Sequence, residues 1–309
     1  MKSKAVCFAL SVLIPLASSR AADDDATSER ASALDAAKKK LTDHSYRLQY
    51  KFWPDEAIRT KVVHLVAVET KIRGVTETAK TRSVSTKAWK ITGVDEQGNG
   101  TFVYVVENVS MWQQVTGRQE VRYDSSKDEK PPTEYRHVAE SVGVPMATVT
   151  IAPNGEIVKR EKARAQFNPG IGELTIRLPD HAIKAGTKWT TSGELPVRPR
   201  PNTPVKRVKI REVYTLEKVQ SGVATISVET QILTPVNDPA MQSQLVQRIK
   251  KGEIKFDVDA GRVISQQMDI DETVIGFSGP DSMMKYLARH TEKEVKENAV
   301  AAKSGTAVR

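Results

Sequence analysis

The chain has 309 residues, 47 Lys and Arg against 38 Asp and Glu, one cysteine and 39% apolar residues. That length suffices for a well-buried core in one large or two small domains, and a 28% charged fraction with ordinary Gly and Pro counts excludes collagen-like or wholly disordered material. One cysteine excludes a disulfide scaffold and a cysteine-based zinc site, while the formal charge of +9 raises the question of a polyanionic partner.

Residues 1–21 (MKSKAVCFALSVLIPLASSRA) read as an export signal. Lys2 and Lys4 form a positive head, Ala5 to Ala17 a mainly apolar run, and Ser19 and Ala21 a small-residue cleavage site. The cut is expected after Ala21, giving a secreted or periplasmic product. The apolar run is shorter than the roughly 20 residues of a membrane-spanning helix. Cys7 stands at its start and so does not read as a lipidated N-terminus. Residues 22–45 follow as an N-terminal helical arm, because 27–41 (TSERASALDAAKKKL) is rich in helix formers behind Ser28 as N-cap.

From Tyr46 the pattern turns to β. Residues 60–72 and 101–109 are rich in β-branched and aromatic residues. Ala224, Ile226, Val228, Thr230 and Ile232 alternate with Thr225, Ser227, Glu229 and Gln231, and Ile254, Phe256 and Val258 alternate with charged residues. Period 2 buries one face and wets the other, which belongs to antiparallel sheets. Turn chemistry at Gln97–Gly100, Asn154-Gly155, Ser221-Gly222 and Asp259–Gly261 joins these runs as hairpins. About a dozen strands in meander order are expected over 46–277. A faint repetition, 89–109 and 214–232 each followed by a hairpin (152–158, 258–264), leaves open two similar halves, 46–162 and 172–277.

Asn237-Asp238-Pro239 predicts a helix over 238–251, with an Asp N-cap, Pro at the first position, Met241, Leu245 and Ile249 as its apolar stripe, and Gly252 as its stop. A second helix is expected over 281–298, with Met284, Leu287 and Val295 partly on one side, so that 278–309 forms a C-terminal helix and frayed tail. The fold class is therefore mainly β: a long antiparallel meander forming a curved sheet or half-barrel with two or three covering helices.

Few residues advertise chemistry. No phosphate loop, nucleophile elbow or H-E-x-x-H is present. The histidines at 44, 64, 137, 181 and 290 are widely spaced, and no two share a helical turn or an i,i+2 strand face. His64, on the face of Val62, Val66 and Val68, reads as a hydrogen-bonded core or edge histidine. Ser282–Lys285 (S-x-x-K) and Lys303–Gly305 mimic penicillin-enzyme motifs but leave no room for that domain between them. Asp257–Gly261 lacks the spacing of a calcium loop and reads as a hairpin, with Asp269, Asp271 and Glu272 as a weak acidic edge nearby. Trp53, Trp89, Trp112 and Trp189 lie in or beside strand-like runs and are expected in the core. No catalytic residue, metal ligand or cofactor site is assigned.

The charge itself is local. Without Lys2, Lys4 and Arg20 it falls to +6, and residues 198–211 alone carry six cations and no acid. Arg198 and Arg200 lie in a proline-rich extended loop; Lys206, Arg207, Lys209 and Arg211 enter a strand. Arg207, Lys209 and Arg211 would share one strand face about 6.5–7 Å apart, forming a candidate anion-binding ridge. The bland alternative is a solvated face offset by acids on neighbouring strands, such as Glu229. No aromatic is interleaved to stack bases, so nucleic acid is not expected.

The signal segment, the long meander with one apolar face and the covering helices resemble the periplasmic lipoprotein-carrier (LolA-like) half-barrels. LPDHAIKAGTKW at 178–189 and the G-x-[IV]-[VI] hairpins at 155–158 and 261–264 also resemble secreted bacterial families of unknown function. The resemblance implies a concave apolar surface able to hold lipid or acyl chains. The expected function is thus a non-catalytic binding or carrier domain for an amphiphile, acyl groups inside and an anionic head near 198–211. The alternative is an envelope module docking on an anionic surface through its basic loop. A third reading is a hydrolase whose site is assembled from distant strands.

Overall fold

The computed structural model describes residues 32, 44–163, 175–200 and 202–295. The expected export signal, nearly all of the helical arm and the tail from 296 lie outside them. Twelve strands form one antiparallel sheet: β1 (Ala57–Ile72), β2 (Val75–Val94), β3 (Gly100–Val115), β4 (Val121–Asp124), β5 (Pro145–Ile151), β6 (Ile157–Glu161), β7 (Lys188–Val197), β8 (Lys206–Gln220), β9 (Val223–Ile232), β10 (Lys251–Asp257), β11 (Arg262–Ile275) and β12 (Met283–Glu294). Short helices α1 (Arg136–Ala139) and α2 (Pro239–Leu245) accompany them. The sheet is curved and unclosed, as expected of a half-barrel.

The strand order is β6-β5-β3-β2-β1-β12-β11-β10-β9-β8-β7, with β4 beside β3. The order is that of an up-and-down barrel cut between β6 and β7. The first strand, β1, pairs with the last, β12, at the middle of the sheet, and the chain crosses from one free edge to the other between β6 and β7. The two arms, β1 to β6 and β7 to β12, run through the sheet in the same sense.

The alternation is visible in the packing. Ala224, Ile226 and Val228 on β9, Ile254 and Phe256 on β10, and Tyr214 and Leu216 on β8 are buried together. One end of the sheet is filled by two extended segments, Tyr46–Phe52 and Ile176–Ile183. Their Leu48, Tyr50, Phe52, Ile176, Leu178 and Ile183 meet Phe102, Val149 and Ile151 from one arm and Phe256 from the other. Backbone bonds tie them down: Tyr46 and Ile183 exchange N–H···O bonds of 2.8 and 2.9 Å, Tyr50 N–H donates to the Pro153 carbonyl and Leu178 N–H to that of Asn154. Gly155 sits at φ +81°, and a Cβ there would lie 2.2 Å from the Ile176 carbonyl oxygen. Only glycine permits that approach.

Two helical expectations are corrected. Helix α2 starts where expected, with Asp238 Oδ1 accepting the Ala240 N–H at 2.9 Å and Pro239 in the first turn. It ends at Leu245, not near 251, because Thr230 captures the Lys250 backbone: Lys250 N–H donates to Thr230 Oγ1, and its carbonyl accepts from Thr230 N–H. From Lys251 the chain pairs as β10. The larger correction is at the C-terminal end. Residues 283–294, expected as helix, are β12, lying between β1 and β11. Met284, Tyr286, Ala288 and His290 are buried, while Met283, Lys285, Leu287 and Arg289 face away from them. Helix-forming residue types are overridden by two ready-made neighbours whose ladders this strand completes.

Candidate functional site

The concave side of the sheet holds a cavity of about 1480 Å³ that reaches the open seam. Its floor is the centre of the sheet: Val62, His64, Val66 and Val68 of β1, Ser83, Ser85 and Lys87 of β2, and Tyr286 and His290 of β12. One side is β8, with Ile210, Glu212 and Tyr214. Residues of both edge strands, among them Arg160 of β6 and Gly193 and Leu195 of β7, border the gap. The wall is therefore mixed, with aliphatic stretches beside hydroxyls, imidazoles and cations.

Charge in the wall is partly neutralised from within. Lys250 Nζ lies 2.8 Å from Glu212 Oε1, both side chains about nine-tenths buried. Tyr214 hydroxyl donates to Glu212 Oε2 at 2.6 Å, and Thr191 hydroxyl approaches it at 3.4 Å. Arg177 pairs with Glu156 at 2.8 Å. Arg248 donates to the Pro196 carbonyl at 2.6 Å. Lys87 forms no ion pair among the described residues. The lining thus carries more positive than negative charge.

The centre of the floor corrects the reading of the histidines. In sequence no two share a helical turn or an i,i+2 strand face, but His64 and His290 are direct cross-strand partners on β1 and β12. Their ring centroids lie 5.8 Å apart. Nor is His64 a satisfied core histidine, because its Nε2 and that of His290 are buried without hydrogen-bond partners. His64 is held below its ordinary pKa by burial, then by His290 and Lys87. Beside them, Glu292 accepts hydrogen bonds from Thr60 (2.6 Å) and Gln266 (2.7 Å), with His290 Nε2 at 3.9 Å. Burial alone would raise its pKa. The His290 ring, the Lys87 ammonium and the Thr60 and Gln266 bonds outweigh burial and hold it at about 2. Glu292 lines a smaller cavity of about 40 Å³ with Thr60, Arg262 and Gln266. No group of three His, Cys, Asp or Glu suited to a metal occurs among the described residues.

The six basic residues singled out in the sequence lie elsewhere. Arg198, Arg200, Lys206, Arg207, Lys209 and Arg211 are all exposed. Arg207, Lys209 and Arg211 do share one face of β8, but it is opposite to the buried Val208, Ile210 and Glu212, and none of the six lines the cavity. Arg207 lies 3.6 Å from Glu194, and Arg211 donates to Gln231, which stands opposite it on β9 where an acid such as Glu229 was expected. The Arg198 backbone is clasped by the Gln244 side chain of α2. An anionic head inside the cavity would meet Lys87 and the histidines instead of this ridge. Among the tryptophans, Trp89 stacks on Phe102 at 4.5 Å and Trp189 on Tyr214 at 5.5 Å. Trp53 is 47% exposed beneath the Arg262 guanidinium, and Trp112 borders an outer groove of about 750 Å³. Asp257 Oδ1 accepts the Asp259 and Ala260 N–H groups, the hairpin turn expected there.

The cavity-lining polar residues have no motif to reveal them. Lys87, Ser83 and Ser85 sit in a Ser/Thr/Lys-rich stretch without a recognisable motif, and His290 falls in a segment that reads as helix. Only the period-2 pattern of 283–294 could have exposed it.

No curated protein matches the chain. The solved structure "Lipid-protein interactions in lipovitellin" is similar over 83% of this chain, at 12% identity and a TM-score of 0.44, and the match spans 27% of that chain. Residues 159–275, which contain β7 to β10 and all of β11, match the model of a family of unknown function (DUF6263).

Proposed function

We propose that the chain is an exported, non-catalytic binding or carrier protein for an amphiphile, held in the cleft of the split barrel. The observation that carries the reading is the cavity of about 1480 Å³, which combines an aliphatic wall with a cationic, hydroxylated floor and reaches the gap between two free edges. Small-molecule sites commonly measure about 300–1,000 Å³, so this one has room for a long or branched chain. The resemblance of the sequence to lipoprotein-carrier half-barrels supports the same reading.

Gly193 offers a way to fill the cavity without disturbing the core. A Cβ there would meet Ile210 at 3.5 Å, an ordinary contact, on the edge strand that borders the gap. Gly193→Trp should therefore weaken uptake of a dansylated fatty acid, read by fluorescence titration, by about tenfold or more. Gly193→Ala should bind it as the wild type does, and both variants should keep the wild-type circular dichroism. Unchanged uptake in Gly193→Trp would place the ligand elsewhere and count against the proposal.

A further inference from the structure

The concave face is apolar over most strands but polar where β2, β1 and β12 lie side by side. Ser83, His64 and His290 form one cross-strand row, Ser85, Val62 and Glu292 the next, and Lys87, Thr60 and Glu294 a third. Ser83, Ser85, Lys87, His64 and His290 all line the large cavity. Two features of this patch are not accounted for by packing. The Nε2 atoms of both histidines are buried without a hydrogen-bond partner, that of His290 having the Glu292 carboxylate no nearer than 3.9 Å, and His290 is only 5% exposed. A buried polar atom left unsatisfied is costly, so a ligand that supplies the missing partner recovers that cost. The second feature is Lys87, a half-buried ammonium on the same floor with no ion pair among the described residues, whose charge reaches His64 and Glu292 only through space.

We propose that this patch is the head-group site of the cavity: it takes a single oxyanion, carboxylate or phosphate, between Lys87 and the His64–His290 pair, and loading draws a proton from solvent onto His64. The inference rests on the amphiphile reading above and specifies its ligand as anionic. The alkyl chain then lies along Val62, Val66 and Val68, which continue the same face of β1 on both sides of His64.

The electrostatics of the surroundings favour this coupling. On β2, His64 stands opposite Ser83, with Lys87 two rows along opposite Thr60; on β12 it faces His290, with Glu292 beyond. The rest of the cavity wall presents Glu212 from β8, Arg248 and Lys250 after α2, Glu194 from β7, and Glu156, Arg160 and Arg177 around β6. Lys250 with Glu212, Arg177 with Glu156, and Glu194 with Arg207 are paired. Glu292 is turned to Thr60 and Gln266 and lines the separate small cavity. Burial, His290 and Lys87 disfavour the charged form of His64 while the site is empty, and the nearest carboxylate, Glu292, lies 3.9 Å from His290 Nε2. An oxyanion reverses the sign of that field and stabilises the imidazolium, whose ring nitrogens both donate.

Calorimetric titration with dodecanoate, dodecyl phosphate and dodecanol, at pH 7.5 in two buffers of different ionisation enthalpy, separates the possibilities. At least one of the two anions should bind about tenfold or more tightly than the alcohol, with a buffer-dependent heat that reports proton uptake. The comparison of the two anions shows which oxyanion the patch prefers. Lys87→Met should abolish the preference for the anions, and His64→Gln with His290→Gln should abolish the proton uptake, while dodecanol affinity stays within about twofold in both, which also shows that the variants fold. Equal binding of alcohol and anions by the wild type, or proton uptake that persists without the two histidines, would overturn the head-group assignment while leaving the amphiphile reading intact. Failure of all three probes to bind would overturn both.

Discussion

Replacing Lys250 by Met is expected to destabilise the fold by about 3–5 kcal/mol, the usual cost of removing one partner from a buried ion pair. Lys250 and Glu212 are 8% and 9% exposed, with Nζ and Oε1 2.8 Å apart. Without the ammonium, the Glu212 carboxylate stays buried beside the Tyr214 and Thr191 hydroxyls. Two hydroxyl bonds do not compensate a desolvated charge. The pair also joins distant parts of the chain, because Glu212 stands on β8 whereas Lys250 ends the turn that leads from α2 into β10. Urea denaturation should show the loss as a lower midpoint at constant slope. Lys250→Met combined with Glu212→Leu should recover most of it, since a buried pair is often replaceable by apolar residues of similar volume. A double variant no more stable than Lys250→Met alone would mean that the single-variant loss came from packing.

Glu292→Gln should cost about 3 kcal/mol at pH 7, and the cost should depend on pH. The carboxyl is held at about 2 against an ordinary 4.5, and a tenfold change in its acidity corresponds to about 1.4 kcal/mol. The folded-state pKa is depressed, so the contribution is fully present above about 4.5 and is lost as pH falls towards 2. The gap between wild type and variant should therefore narrow through that window and nearly close at its lower end. His64 acts separately. Its folded-state pKa is lowered, so below its ordinary 6.5 the unfolded chain takes up the proton first and stability declines. That decline is common to both proteins and cancels in the difference. Urea midpoints at pH 7, 4 and 2.5 provide the check; a gap that does not change with pH would refute the role given to Glu292.

Much of the architecture is legible in the sequence because antiparallel strands with one buried face write their burial as alternation. Ala224, Ile226 and Val228, then Ile254 and Phe256, follow from period 2 alone. The N-terminus of α2 is legible from Asp238 and Pro239, whose chemistry is local. What fails is non-local. Residues 283–294 alternate as clearly as β9, yet Met, Leu, Ala, Lys and Glu are helix formers, and only the presence of β1 and β11 on either side decides for strand. The same ambiguity hides the site. His64 and His290 belong to the first and last strands, and nothing in the sequence says that these two pair. The basic ridge shows the converse. Its shared strand face follows from the sequence, but which side of the sheet that face occupies depends on Val208, Ile210 and Glu212 turning inward. The excess charge that is most conspicuous in the composition lies on the outer surface, while the polar residues inside the cleft give no compositional sign.

Whether the cleft of this split barrel carries an amphiphile is tested most directly by native mass spectrometry of the protein, purified without detergent. The expected result is a population heavier than the polypeptide by the mass of an amphiphile, with that mass displaced by added dodecanoate and absent from Gly193→Trp. Protein that is repeatedly empty, and whose melting temperature does not move when amphiphile is added, would contradict the carrier reading.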